Sequence, residues 1–356
     1  MITLDLVLVG FGNVARRFVT LLTEQRTTLA REHGVRCRVI GTAARRDGYV
    51  YSGRRVNAAS TLAFVREATQ RSAAAARQGR LVVIETTTLD IQRGEPATSH
   101  IRAALRGGAH VITANKGPVA FAYDALARAA TRAGRRFLFE GSVMDGVPIF
   151  NLVRETLPAV TIVAFRGVIN STTNYMLTAM EHGQPFDGAL AEMQARGVAE
   201  ADASLDVDGW DAAAKTAALA NVLLGARLTP RTVRREGISE DTGRATIAAL
   251  ARGRRVKLVA RASREGQRVE ASVGPEELPA DDLLATLQGQ QNALILRTDV
   301  LEEIAIVQRS GCLTQTAYAL VSDLVAIARD VTRASATPRP RSRSRPGRSP
   351  SGRGRR

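Results

Sequence analysis

Lysine is almost absent from this chain. Of its 50 Lys and Arg residues only Lys116, Lys215 and Lys257 are lysine, and the other 47 are arginine. A bias of that strength replaces lysine wherever arginine serves as well, so each survivor raises the question of what arginine cannot do there. Arginine keeps its proton at any ordinary pH, whereas a lysine whose pKa is lowered can exchange one. Lys257 lies outside every motif found below and is expected to be exchangeable for arginine. Cysteine is scarce too. Cys37 and Cys312 are far apart and lack metal-ligand spacing, which excludes a disulfide framework and a zinc site and fits a reducing cytoplasm. No apolar run approaches the roughly 18 residues of a membrane helix. The apolar start passes directly into a glycine turn with no basic leader, so neither secretion nor membrane insertion is expected. Acidic residues are missing from the last segment, where eight arginines between Arg339 and Arg356 carry half of the formal net charge of +16. Charge of this kind bears on solubility and non-specific binding, and no specific nucleic-acid partner is expected. From Ala334 onward only Ala, Ser, Thr, Pro, Gly and Arg occur, so residues 334–356 are expected to be a disordered tail without a core.

What remains is patterned. At 356 residues the chain can hold two domains. Leu4 to Val9 is a short apolar run, and Gly10-Phe11-Gly12-Asn13-Val14-Ala15 opens a helical pattern through Leu22, the strand, turn and helix order of a nucleotide-binding unit. Further strands are expected at Arg38 to Ala43, Leu81 to Glu85, His110 to Thr113 and Arg136 to Glu140, with a helix at Ser99 to Arg106. Strands alternating with helices predict an α/β fold with a doubly wound parallel sheet of Rossmann type. After about Pro148 the pattern changes. Strands at Val160 to Val168, Arg268 to Val273, Ala293 to Thr298 and Glu303 to Arg309, with helices at Asn174 to Glu181, Phe186 to Arg196 and Asp211 to Leu224, predict a second, α+β domain. Thr314 to Arg333 is a final amphipathic helix placed to return to the first domain. The expected division is therefore a dinucleotide-binding domain at 1–148 completed by 310–333, and a second domain at 149–309.

The spacing of Gly10, Gly12 and Ala15 has a physical purpose. The first glycine permits the tight turn, the second lets a pyrophosphate approach the backbone, and the small third residue lets helix and strand pack. After the second strand an acid would hold the ribose hydroxyls of NAD, but Arg45 and Arg46 follow Thr42-Ala43-Ala44, a pairing suited to a 2′-phosphate; two solvated arginines are the competing reading. Asn115-Lys116 follows a strand at the carboxyl edge of the sheet, where open α/β folds bind ligands. Glu140 and Asp145 end the next strand among Gly141, Gly146 and Pro148, which either build a crossover between domains or, with backbone carbonyls, coordinate a monovalent cation. The densest constellation runs from Glu200 through Asp202, Asp206 and Asp208 to Asp211 and Lys215. Asp211 and Lys215 are four apart on one helix and can pair. An acid-rich helix start is the bland alternative.

These residues resemble the homoserine dehydrogenase family, in its short form without a C-terminal regulatory domain, over roughly Thr3 to Asp330. The similarity rests on seven segments in family order: GFGNVA at Gly10, VIETTT at Val83, HVITANKGP at His110, FEGSVMDGVPIF at Phe139, RGVINSTTNYML at Arg166, GVAEADASLDVDGWDAAAKTAAL at Gly197 and TQTAYALVSDLVAIA at Thr314. The resemblance implies a cytoplasmic homodimer that interconverts L-homoserine and L-aspartate 4-semialdehyde in threonine and methionine biosynthesis, with NADP, or NAD in its place, as cofactor. It implies that the second domain carries the substrate site and the dimer interface. It further implies Lys215 as proton donor, Lys116 where nicotinamide and substrate meet, and Glu200 and Asp211 on the substrate's amino group. Cofactor contacts are expected, from the glycine turn, the missing acid after the second strand and the resemblance together, at Gly10, Gly12, Asn13, Val14, Arg45, Thr87, Lys116 and Gly311. A sodium ion is implied at Glu140 with backbone groups of Val143, Asp145 and Val147. Two other classes remain as alternatives: a related oxidoreductase of another small amino acid or aldehyde, and a dinucleotide-binding protein that has lost catalysis.

Overall fold

The computed structural model describes residues 1–195 and 203–336. Glu200 and the arginine-rich end of the chain lie outside the described residues. The first part of the chain runs β1 (Ile2–Val9), α1 (Asn13–Glu24), α2 (Arg26–His33), β2 (Val35–Ala44), β3 (Gly48–Tyr51), β4 (Arg54–Val56), α3 (Thr61–Arg71), α4 (Ala73–Arg77), β5 (Leu81–Glu85), α5 (Ala97–Arg106), β6 (His110–Thr113), α6 (Lys116–Ala133) and β7 (Phe137–Leu138). These strands form one sheet in the order β4-β3-β2-β1-β5-β6-β7. The five strands from β2 through β7 are parallel, as expected. At the β2 edge the sheet continues with β3 and β4, which no expectation covered and which run antiparallel. Residues 45–47 are the whole connection from β2 to β3, and a parallel crossover needs a dozen residues or more. The strand expected through Glu140 is also shorter: β7 stops at Leu138, and Glu140–Ser142 is a single 3-10 turn.

The apolar run of β1 is buried on both faces because a parallel sheet is covered on both. Leu4, Leu6 and Leu8 point into one core with Phe18 of α1, while Val7 and Val9 point into the other with Phe64, Val65, Ile101 and Val119.

The second part contains α7 (Phe150–Thr156), β8 (Ile162–Val168), α8 (Ser171–Glu181), α9 (Phe186–Ala195), α10 (Ser204–Val207), α11 (Trp210–Leu223), β9 (Arg234–Arg235), α12 (Glu240–Ala251), β10 (Arg254–Glu265), β11 (Arg268–Pro279), β12 (Asn292–Thr298) and β13 (Glu303–Gln308). Its six-stranded sheet, in the order β13-β12-β8-β10-β11-β9, is antiparallel apart from the β11–β9 pair. The last helix, α13 (Leu313–Ala336), returns to the first sheet, where Leu320, Leu324 and Ile327 close the core around Leu4, Leu6 and Leu8. It extends three residues past Arg333, and two of those three are alanine, the best helix former.

One expectation fails here. Lys257 on β10 is fully buried, donates to the Leu287 carbonyl at 2.8 Å and lies 3.6 Å from the buried Glu181 carboxylate. Arginine's wider planar head has no room in such a place without repacking, so Lys257 is not an exchangeable residue. Sequence spacing carried no trace of this pairing because Glu181 and Lys257 belong to elements far apart in the chain.

Candidate active site

The glycine turn sits at the carboxyl end of β1, between β2 and β5. Gly10 has φ +86°, and a Cβ there would lie 2.7 Å from the Thr86 backbone, so the turn admits only glycine. Thr86 ties that turn to β5, its hydroxyl donating to the Gly10 carbonyl at 3.0 Å. Gly12 is the N-cap of α1, and a Cβ at this position would meet nothing within 4 Å. No side chain caps the helix and no acid occupies its first turn, so the N–H groups around Asn13 and Val14 face open space with the positive end of the helix dipole behind them. Ala15 is fully buried. The cradle therefore fits a dinucleotide's pyrophosphate on geometry alone.

Beside it, the turn after β5 is built on a buried acid that sequence reading gave no role. Glu85 accepts the Thr87 N–H at 2.9 Å, the Thr113 hydroxyl at 2.8 Å and also the Thr87 hydroxyl. Burial pushes its pKa up, and these donors work against that shift. The same turn is held from the other side by Asn115, whose amide donates to the Thr87 carbonyl at 3.1 Å while its oxygen caps α6 through Gly117. Thr87 and Lys116 are thus brought together at the end of the sheet.

Lys116 is the first residue of α6, the wrong end of a helix for a cation. Asp211 from α11 offsets this, with Oδ1 2.8 Å from the Lys116 ammonium and Oδ2 3.0 Å from Lys215 Nζ. Lys215 also donates to the Ile169 carbonyl at 2.9 Å, which leaves one of its three protons for another acceptor. α11 brings these groups close because it is nearly all small residues on its buried faces, with Ala212, Ala213, Ala214, Ala217 and Ala218 all buried against their neighbours. Burial alone would raise the pKa of Asp211, but the two ammonium groups outweigh it and hold the acid well below the usual carboxylate range. For Lys215 burial acts to lower the pKa, and the carboxylates of Asp211, Asp145 and Asp206 overcome it, so the net shift is upward. The acids around Lys215 thus favour its ammonium form over the neutral amine. Asp206, which the sequence placed in the acid-rich segment without singling it out, lies next to Asp211, its pKa raised by burial and by that neighbour. Asn170 donates to both acids, to Asp206 at 2.7 Å and to Asp211 at 2.9 Å.

The Glu140 loop reaches the same region through Asp145, whose charge acts on Lys215. The Glu140 carboxylate accepts N–H groups from Ile149 at 2.6 Å, Phe150 at 3.0 Å and Asn151 at 2.5 Å, so it caps α7. Asp323 of α13 accepts the Glu140 N–H at 3.0 Å, and burial pushes its carboxyl up to about 7. Val143 is buried and Val147 half-buried alongside. Asp145 takes φ +48° and turns its carboxylate toward Gln308, at 2.9 Å, and the Thr316 hydroxyl, at 3.0 Å. Gly311 packs against that carboxylate so closely that a Cβ would come within 2.4 Å of it. Among the described residues no group of three or more His, Cys, Asp or Glu side chains is arranged to hold a metal ion.

Arg45 and Arg46 are exposed in the β2–β3 turn. The turn also contains an acid that the sequence reading passed over: Asp47, held 3.1 Å from the Arg16 guanidinium.

With this geometry in view, comparison with known proteins is decisive. The model for the homoserine dehydrogenase NAD-binding domain matches residues 10–140, and the homoserine dehydrogenase model matches residues 148–325. The chain belongs to the homoserine dehydrogenase family. The NAD(+)-dependent homoserine dehydrogenase of Pseudomonas canavaninivorans is 35% identical over 92% of this chain and 97% of its own length. The homoserine dehydrogenase of Sulfurisphaera tokodaii is 33% identical over 92% and 99%. Among solved structures, the homoserine dehydrogenase of Thiobacillus denitrificans superposes with a TM-score of 0.79 at 29% identity, over 96% of this chain and 76% of that one. Membership makes the chain an NAD(P)-dependent oxidoreductase with a Rossmann-type domain for a nicotinamide dinucleotide. No helix among the described residues is long and apolar enough to cross a membrane.

Proposed function

We propose that the chain interconverts L-homoserine and L-aspartate 4-semialdehyde, in the biosynthesis of threonine and methionine, with Lys215 as the group that exchanges the C4 oxygen's proton. The observation that carries this reading is Asp211 bonded at once to Lys116 from the nucleotide-binding half and Lys215 from the other half. A protein that had lost catalysis has no reason to keep two of its three lysines half-buried around one acid. A bound nicotinamide supplies the hydride acceptor or donor. In the reducing direction Lys215, a cation, protonates the alkoxide forming at C4, and Lys116 adds positive charge beside it. In the oxidising direction Lys215 must first lose its proton and then takes the proton of the alcohol. Asp206 and Asp211, with Glu200 from outside the described residues, receive the substrate's ammonium group.

In this reading Gly10, Gly12, Asn13 and Val14 hold the pyrophosphate, and Thr87, Lys116 and Gly311 flank the nicotinamide end. Arg45 pairs with a 2′-phosphate, which favours NADP over NAD; the engagement of Asp47 by Arg16 supports this, since it leaves the exposed Arg45 and Arg46 as the charges the turn offers. A sodium ion would use the remaining lone pairs of Glu140 with carbonyls of Val143, Asp145 and Val147. We assign residues 1–148 with 310–333 to cofactor binding and 149–309 to substrate binding and formation of a homodimer. The two unpaired cysteines fit a cytoplasmic protein. The direct test is spectrophotometric: purified protein should oxidise NADPH only when aspartate 4-semialdehyde is added, and faster than it oxidises NADH. Turnover with other small aldehydes but not with this one would move the chain to a different oxidoreductase specificity.

A further inference from the structure

Asn170 stands where β8 gives way to α8, 4% exposed, with every hydrogen-bonding position of its amide used. Its oxygen is committed first. It accepts the Thr173 N–H at 2.8 Å and the Thr173 hydroxyl at 3.0 Å, which caps α8. Because the cap fixes the oxygen, the amide nitrogen must face the opposite way, and its two hydrogens go to Asp206 and Asp211, one each. Those acids sit on successive helices, the single-turn α10 and the first turn of α11, and each opposes ionisation of the other. The charged groups facing them are Lys116 from α6 and Lys215 from α11, with Asp145 reaching Lys215 from the loop after β7. Both lysines bond Asp211, while Asp206 depends on Asn170 and on the Thr172 hydroxyl.

A cap alone does not require an amide, since Ser, Thr or Asp caps a helix equally well. The two donors on the far side are what only asparagine supplies here. We infer that Asn170 is a positioning residue whose amide, oriented by the α8 cap, holds Asp206 and Asp211 side by side as two anions ready for the substrate's ammonium group. The inference rests on the reading that this acidic pair receives that group.

Two substitutions test it, and both keep an oxygen for the cap. Asn170→Ser removes the two donors, and Asn170→Asp also adds a third carboxylate facing the pair. Both proteins are expected to unfold near the parent midpoint and to bind NADPH with the parent dissociation constant. The acid limb of kcat/KM for aspartate 4-semialdehyde, in the direction that uses the Lys215 ammonium form, should move toward neutral pH, by about one unit or more in Asn170→Asp and less in Asn170→Ser, because a proton is trapped among the acids. Activity should recover as pH is raised and that proton leaves. A parent-like acid limb in both variants, or a loss of equal size at every pH, would reduce Asn170 to a helix cap and overturn the inference. Lys215→Arg separates the two levels of the account: if it is inactive while the Asn170 variants keep the parent profile, only the positioning role is lost.

Discussion

Three lysines mark three different uses of an amine. Lys116 and Lys215 share Asp211, and the acids around Lys215 set a direction for its pH behaviour. Its pKa is raised above the ordinary lysine value of 10.5, so the ammonium form persists through neutral pH. Reduction of the semialdehyde needs that form and should hold its rate into alkaline solution. Oxidation of homoserine needs the neutral amine and should climb as pH rises. Measuring both directions against pH checks the sign, and a reduction rate that already falls as pH rises through neutral would contradict it. Lys257 is the third use. It pairs with Glu181 in the interior, where Glu181 Oε1 accepts no hydrogen bond. Breaking a buried pair typically costs about 3–5 kcal/mol, because one charge is left alone. Arg255 also lies 3.5 Å from the Glu181 carboxylate, so Lys257→Met should lower the unfolding free energy by less than that, and adding Glu181→Leu should restore part of it. A Lys257→Met protein as stable as the parent would show that the pair contributes nothing.

At the scale of elements, what the sequence revealed follows from how far apart the interacting residues lie. β1, β5, β6, α11 and α13 were readable because each is a local pattern of apolar spacing ended by glycine or a charged turn. The pairing of Asp211 with Lys215 was readable because both are on one helix. The bond from Asp211 to Lys116, the Lys257–Glu181 pair and the second role of Asn170 were not, since each joins elements that only the fold brings together. The antiparallel hairpin of β3 and β4 was not read at all: the second strand was expected to end at Ala43, and no strand was expected at 48–56. The turn at 45–47 carries its own prediction. With Asp47 engaged by Arg16, Arg45→Ala should raise the NADPH dissociation constant several-fold and leave NADH nearly unchanged, as titration of each cofactor would record. Equal losses for both would place Arg45 away from the 2′-phosphate.

On the scale of the whole molecule, the fold joins two sheets so that one acid can hold an amine from each half. α13 crosses back to the first sheet and Asp323 holds the Glu140 loop within the same half, while Asp145 meets Gln308 of the other half. The central claim is that this assembly exists to place the proton of Lys215 at the substrate's C4 oxygen. Lys215→Arg tests it most directly, because arginine keeps the charge and much of the length but cannot exchange a proton near neutral pH. The account predicts that kcat falls by about 10²- to 10⁴-fold while the NADPH dissociation constant hardly moves. A Lys215→Arg enzyme with near-parent kcat at saturating substrate would contradict it and send the proton through Lys116 or water instead.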